Sequence, residues 1–94
     1  MEFEFDPAKD EANRFKHGLP LSFGKLVFGD PTHTVIPSFR RTDGEDRYKA
    51  VGRVNGKLYK VVYVVRGENT RLISVRRSNV SEQRDYDSDP GRSE

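Results

Sequence analysis

The chain has 94 residues, 34% of them charged and 33% hydrophobic, with a formal net charge of +2, which suits a single domain with one modest core. It contains no cysteine, which excludes disulfides, thiolate metal sites and cysteine nucleophiles together. No apolar run reaches the ~20 residues of a membrane span and the acidic N-terminus is the reverse of a signal peptide, so a cytoplasmic protein is expected.

Phe3-Glu4-Phe5 alternates as a short first strand. Asp6 and Pro7 then open a helix, the carboxylate capping free N–H groups and the proline suiting the first helical position. Ala8, Ala12 and Phe15 recur at helical spacing and are expected on the core side, with Lys9, Asn13, Lys16 and His17 on another face and Asp10, Glu11 and Arg14 outward. Gly18 ends the helix as a left-handed cap. A second helix is expected from Ser22, with Leu21 and Leu26 as a hydrophobic staple, Phe23, Leu26 and Val27 buried, and Gly29-Asp30-Pro31 as its stop.

His33 to Ile36 reads as a strand, and the polar stretch from Pro37 to Asp46 as a mobile loop. Arg47 to Val54 is the next strand, with Arg47, Lys49, Val51 and Arg53 on one face and Tyr48, Ala50 and Val54 on the other. Asn55-Gly56 is a strong hairpin signal leading into Leu58–Arg66. Gly67, Glu68 and Asn69 turn the chain into Arg71–Arg77, making a second hairpin. Val62 and Val64 leave little polar surface on the first strand of this pair, which places it at the centre of the sheet. In its partner, alternation sends Ile73 and Val75 one way and Leu72, Ser74 and Arg76 the other. Asn79 with Glu82 resembles a capping box for a helix from Val80 to about Asp87. One domain over residues 1–87 and a flexible tail over 88–94 are therefore expected.

Charge is unevenly distributed. From Arg40 to Arg77 there are 11 Lys/Arg against 4 Asp/Glu, whereas both flanks are acidic. A basic sheet suits a phosphate backbone or an acidic protein partner, although strands also use cations simply to blunt exposed edges. His17 and His33 fall in different elements, and Asp30, Asp43, Glu45 and Asp46 lie in or beside loops, so neither a metal centre nor a bound cofactor is expected. The glycines are scattered as caps and turns and form no phosphate loop. His17 can shuttle a proton, though a histidine before a glycine cap often just bonds the last helical carbonyls. Lys16 can neutralise a phosphate or act as a base, where the ordinary alternative is a solvated lysine. Arg47, Arg53 and Arg76 are placed to converge across strands, and guanidinium groups stabilise charge that grows in phosphoryl transfer. Ser74, with no adjacent base, suits an orienting role rather than attack.

Several segments together resemble the BrnT family of type II toxins, small ribonucleases with a RelE-like fold. They are Phe3-Glu4-Phe5-Asp6-Pro7-Ala8-Lys9; Asn13 with Lys16-His17-Gly18; Phe23 with Phe28-Gly29-Asp30-Pro31; Asp43-Gly44-Glu45-Asp46-Arg47-Tyr48; Val51-Gly52-Arg53; Arg71 to Arg77; and Glu82 with Arg84 and Tyr86. Two positions depart from the pattern. Phe5 stands where another aromatic is usual, and Gly24-Lys25 replaces an acidic pair at the second helix start. The resemblance implies an α+β, RelE-like fold: a central antiparallel sheet, two N-terminal helices and a short C-terminal one. It also implies a BrnA-like antitoxin partner that contacts DNA for both proteins. The chemistry implied is metal-independent RNA cleavage by attack of the ribose 2′-OH, which inhibits translation. On that reading Arg76 and Arg53 stabilise the transition state, Lys16 or His17 transfers protons with Glu45 as the rival base, and Ser74 orients Arg76 or the phosphate. Arg47 positions RNA, joined by Lys9, Glu45, Lys49 and Arg77. The alternative is a basic nucleic-acid-binding module without catalysis, or a scaffold for a DNA-binding complex.

Overall fold

A computed structural model of the chain describes residues 2–38 and 47–88. The expected loop beyond Ser38, Glu45 within it, and the expected tail beyond Ser88 lie outside the described residues. The fold is α+β. Strand β1 (Glu2–Glu4) leads into helix α1 (Pro7–His17), a 3-10 turn at Leu21–Phe23 and helix α2 (Gly24–Phe28). Strands β2 (Thr34–Pro37), β3 (Arg47–Val54), β4 (Lys57–Arg66) and β5 (Asn69–Arg77) follow, and helix α3 (Val80–Asp87) closes the order. The five strands form one sheet in the order β1-β5-β4-β3-β2, which puts β4 at its centre. The sheet is mixed rather than wholly antiparallel, because β1 runs parallel to β5 through Glu2–Asn69, Phe3–Thr70 and Glu4–Arg71.

Local chemistry accounts for the element ends. Asp6 Oδ1 accepts from the Ala8 N–H at 2.9 Å, Pro7 occupies the first helical turn, and Gly18 ends α1 at φ 71°. Asn55 and Gly56 both take positive φ, 50° and 81°, as a tight two-residue hairpin turn requires. Asn79 and Glu82 make the reciprocal capping box that starts α3. The second helix departs from expectation. A 3-10 turn without a side-chain cap precedes it, Leu21 is fully buried, and Leu26 is exposed.

One face of the sheet carries the main core: Leu21 and Val27 packed on Ala50, Val61, Tyr63, Leu72 and Val75. Helix α2 sits directly on the strands. A Cβ at Gly52 would lie 2.7 Å from the Val27 carbonyl oxygen, and one at Gly24 would lie 2.9 Å from a Val61 methyl. The opposite face holds a smaller cluster of Val51, Leu58 and Tyr86, through which α3 covers part of the sheet. The face assignment expected for β3 is the one observed. That of β5 is not. The β4–β5 register jumps from Val62–Ser74 to Tyr63–Leu72, so Ile73 is the extra residue of a bulge. A bulge reverses the alternation, which lets Leu72 and Val75 share the core face. Leu72 does not lie beside Ser74 and Arg76.

Helix α1 also turns a different side inward. Ala8 and Ala12 are exposed and Phe15 is 92% exposed, whereas Asn13 is buried. Asn13 Nδ2 donates to the Val75 carbonyl at 2.9 Å and to the Leu19 carbonyl at 2.8 Å, while its Oδ1 accepts from the Val75 N–H at 3.0 Å. Strand β1 pairs with β5 only as far as Arg71, and beyond that point the Asn13 amide acts as a one-residue substitute for a neighbouring strand. This polar requirement, rather than an apolar stripe, sets the rotation of α1. Phe15→Ser should therefore change unfolding free energy in urea by no more than about 0.5 kcal/mol. A loss above about 2 kcal/mol would return Phe15 to the core.

Candidate functional site

Two adjoining cavities wrap around the β5 edge where α1 crosses it. The first, about 180 Å³, is lined by Lys9, Ala12, Asn13, Lys16 and His17 of α1 together with Ile73 and Ser74 of β5. The second, about 390 Å³, opens onto the sheet face opposite the main core and is lined by Lys9, Ser38, Arg47, Lys60, Val62, Ile73 and Ser74. Lys9, Ile73 and Ser74 border both, so the pair reads as one bent groove with Ser74 at the bend. The bulge presents Ser74 here, since it removes Leu72 from this face. The capped last turn of α1 presents Lys16 and His17. Lys9, Lys16, His17, Arg47 and Ser74, expected at the site from sequence, are thus brought together.

The other expected residues that the structure describes lie elsewhere. Arg76 and Lys49 share a face with Arg47 but converge on Glu82, whose side chain is only 2% exposed. Arg76 Nη2 donates to Glu82 Oε2 at 2.9 Å and its Nη1 to Oε1 at 3.3 Å, in a two-pronged pairing. Lys49 Nζ lies 3.5 Å and Lys60 Nζ 4.0 Å from Glu82 Oε2. Burial alone would raise the Glu82 pKa, but the Asn79 N–H and the charges of Arg76, Lys60 and Lys49 outweigh it and hold the carboxyl below its usual value. For Lys60 the balance goes the other way from a solvated lysine. Burial and the neighbouring Arg76 lower its pKa, Glu82 opposes them, and Lys49 adds to the lowering.

Arg53 sits farther along β3, its guanidinium 5.7 Å from the Tyr86 ring centroid and donating to the Gly56 carbonyl. It borders a separate, open cavity of about 700 Å³ with Asp30, Thr32 and Tyr86. Asp30 gathers the surrounding donors: the Arg53 N–H at 2.7 Å, the Tyr86 hydroxyl at 2.8 Å, and the Thr32 N–H and hydroxyl at 2.9 and 2.8 Å. Burial pushes its pKa up, yet these four hydrogen bonds bring it down to about 2. Asp30 is thus an ionised tie between the α2 end, β3 and α3. Arg77 lies across the Tyr59 ring at 5.6 Å. Arg47, Arg53 and Arg76 thus share a sheet face, but Arg47 and Arg53 border different cavities, Val51, Leu58 and Tyr86 cluster on the ground near Arg53, and Glu82 engages Arg76.

Three participants escaped the sequence reading. Lys60 had a visible signal, a lysine in the middle of an otherwise apolar central strand. Glu82 was legible only as a cap, and the Asp30–Tyr86 pairing, 56 residues apart, left no local trace. Among the described residues no three His, Asp or Glu side chains are grouped to hold a metal ion, and no helix is long and apolar enough to cross a membrane.

Compared with individually curated proteins, the chain has no match. The family described as the ribonuclease toxin, BrnT, of type II toxin-antitoxin systems matches residues 5–82. That span runs from the residue before the α1 cap to the carboxylate that anchors α3, and so takes in every residue of the groove. On that match the chain belongs to the BrnT family of type II toxin-antitoxin ribonuclease toxins.

Proposed function

We propose that this protein is a metal-independent endoribonuclease of RelE-like architecture, which cuts RNA in the groove around β5 and thereby inhibits translation. Family membership supports the ribonuclease reading, and the convergence of Lys9, Lys16, His17, Arg47 and Ser74 on adjoining cavities carries the location. The ribose 2′-oxygen attacks the adjacent phosphorus, giving a 2′,3′-cyclic phosphate and a 5′-hydroxyl end. His17 or Lys16 takes the 2′ proton, since either side chain stands at the groove and has a lone pair when neutral. Arg47 meets the non-bridging oxygens as negative charge grows on them. Ser74 orients the phosphate at the bend, and Lys9 holds the backbone on one side of it. Arg53, Arg76, Lys49 and Arg77 act further out, contributing positive field along the path of the strand rather than direct contact with the reacting phosphate. A BrnA-like antitoxin would neutralise the enzyme by covering the groove and would supply contact with DNA. Residues 1–87 form the toxin domain on this reading.

Purified protein incubated with RNA in EDTA should produce fragments with 5′-hydroxyl ends. RNA that is shifted on a gel but left intact would instead support a binding module without catalysis. Arg47→Ala should slow cleavage by about 10²–10³-fold in protein whose circular dichroism shows it still folded. Equal rates for the variant and the wild type would remove Arg47 from the reacting centre.

A further inference from the structure

We infer that Lys60 is the general acid of the groove, protonating the 5′-oxygen of the departing nucleotide; this rests on the ribonuclease reading above. Cleavage by 2′-oxygen attack needs two proton transfers on opposite sides of the phosphorus, because the attacking and leaving oxygens lie in line. The α1 end of the groove, which takes the first proton, is therefore on the wrong side to give the second. The second must come from a cation in the other limb, where Lys9, Arg47 and Lys60 are the candidates. A guanidinium does not give up its proton in proteins, which excludes Arg47. Lys9 projects from an exposed helical position and belongs to both limbs, so it suits holding the backbone. Lys60 stands on the central strand, with register partners Val51 and Arg76 on either side, and its side chain is only 15% exposed. A site on a central strand is held more firmly than one on a loop.

Among the described residues, the charges around Lys60 are Lys49 of β3, Arg76 of β5 and Glu82 of α3, with Arg47 and Lys9 also lining the cavity. Glu82 is the one carboxylate among them, and Arg76 takes both of its oxygens. At 4.0 Å from Glu82, the Lys60 ammonium lies beyond hydrogen-bond distance and keeps its protons for another acceptor. The local excess of cations makes the ammonium a stronger acid than a solvated lysine, in keeping with its lowered pKa. In the step itself the 2′-oxygen forms its bond to phosphorus and loses its proton to the base. The bond between phosphorus and the 5′-oxygen breaks, its electron pair goes to that oxygen, and Lys60 Nζ supplies the proton. The neutral amine then regains a proton from water.

The test compares two substrates with the full-length protein. One is ordinary RNA, and the other carries sulfur in place of the 5′-oxygen at a single linkage, where the departing thiolate needs no proton. Lys60→Gln should lose about 100-fold or more on the ordinary linkage, the usual worth of an acid catalyst, and cleave the sulfur-bridged linkage at nearly the wild-type rate. Lys60→Arg, which keeps the charge but not the labile proton, should behave in the same way. Recovery on the sulfur linkage requires a folded groove, so misfolding cannot imitate this result. An equal loss on both substrates, or no loss on ordinary RNA, overturns the assignment of Lys60 while leaving the ribonuclease reading intact. A wild-type protein that cleaves neither substrate overturns both.

Discussion

Alanine in place of Asn13 is expected to remove about 3–5 kcal/mol of stability, because the buried Val75 N–H and carbonyl and the part-buried Leu19 carbonyl each lose a partner, at about 1–3 kcal/mol for each buried group left unsatisfied. Against the total of roughly 5–14 kcal/mol for a domain of this length, that is a large fraction. The midpoint of thermal unfolding should fall by about 15 °C or more, at some 4–8 °C per kcal/mol for a small domain. Asn13→Asp provides the graded comparison. It can still accept from the Val75 N–H but cannot donate to the two carbonyls, and it brings a charge into a buried position. A drop of under about 1 kcal/mol for Asn13→Ala would mean that β5 finds another partner along its edge. The same substitution should disturb the groove, since Asn13 fixes the rotation that presents Lys16 and His17 beside Ser74.

Glu82→Gln should be comparably damaging. The carboxylate is the shared counter-charge of Arg76, Lys49 and Lys60, and its Oε1 also accepts the Asn79 N–H at the start of α3. Removing one partner of a buried charge cluster costs about 3–5 kcal/mol, much of it from the charges left behind. The pH dependence has a definite sign. The Glu82 pKa is lower in the folded protein than its ordinary value of 4.5, so its stabilisation is fully present above that value. It is lost as pH falls through the lower, folded value. Asp30 acts in the same direction, between 3.8 and about 2. Urea unfolding from pH 7 to pH 2 should show wild-type stability declining through the acid range, with a shallower decline for Glu82→Gln. Parallel curves would mean that Glu82 is not what ties the cations together.

The two groups of interactions behind these predictions differ in how far they reach along the chain. Asp6 caps an N–H two residues away, and Asn79 and Glu82 bond across three. Asn55 and Gly56 complete their turn between adjacent strands. Such features are written into consecutive residues. For that reason β3 and α3 lie where pattern and capping placed them, and Gly18 ends α1. Asn13 and Val75, by contrast, are 62 residues apart, and Arg71 and Glu4 are 67 apart. Helical spacing of Ala8, Ala12 and Phe15 pointed to a core face, but an unpaired strand edge needed an amide more than α1 needed an apolar stripe. The bulge at Ile73 is equally invisible to a rule of alternation, which put Leu72 on the same face as Ser74 and Arg76.

The candidate site divides along the same line. Lys16-His17-Gly18 and the Ile73-Ser74 segment could be picked out as chemically suggestive, and the groove joins them. Which cations would be open to a substrate could not be read in that way. Arg76 was expected to converge with Arg47 and Arg53, and Lys49 to hold RNA, yet Glu82 from α3 meets both, whereas Lys60 keeps a place on the groove.

By itself, the sequence determined most element boundaries, the two hairpins and the basic character of the sheet, because each depends on residue types, hydrogen bonds or side-chain alternation within a few residues, and its resemblance to a family supplied the α+β class. Only the tertiary structure decided the parallel pairing of β1, the inward face of α1, the bulge in β5 and the division of the cations between Glu82 and the groove. Those depend on which buried polar groups must find partners from distant parts of the chain, and that demand exists only once the sheet has closed around them.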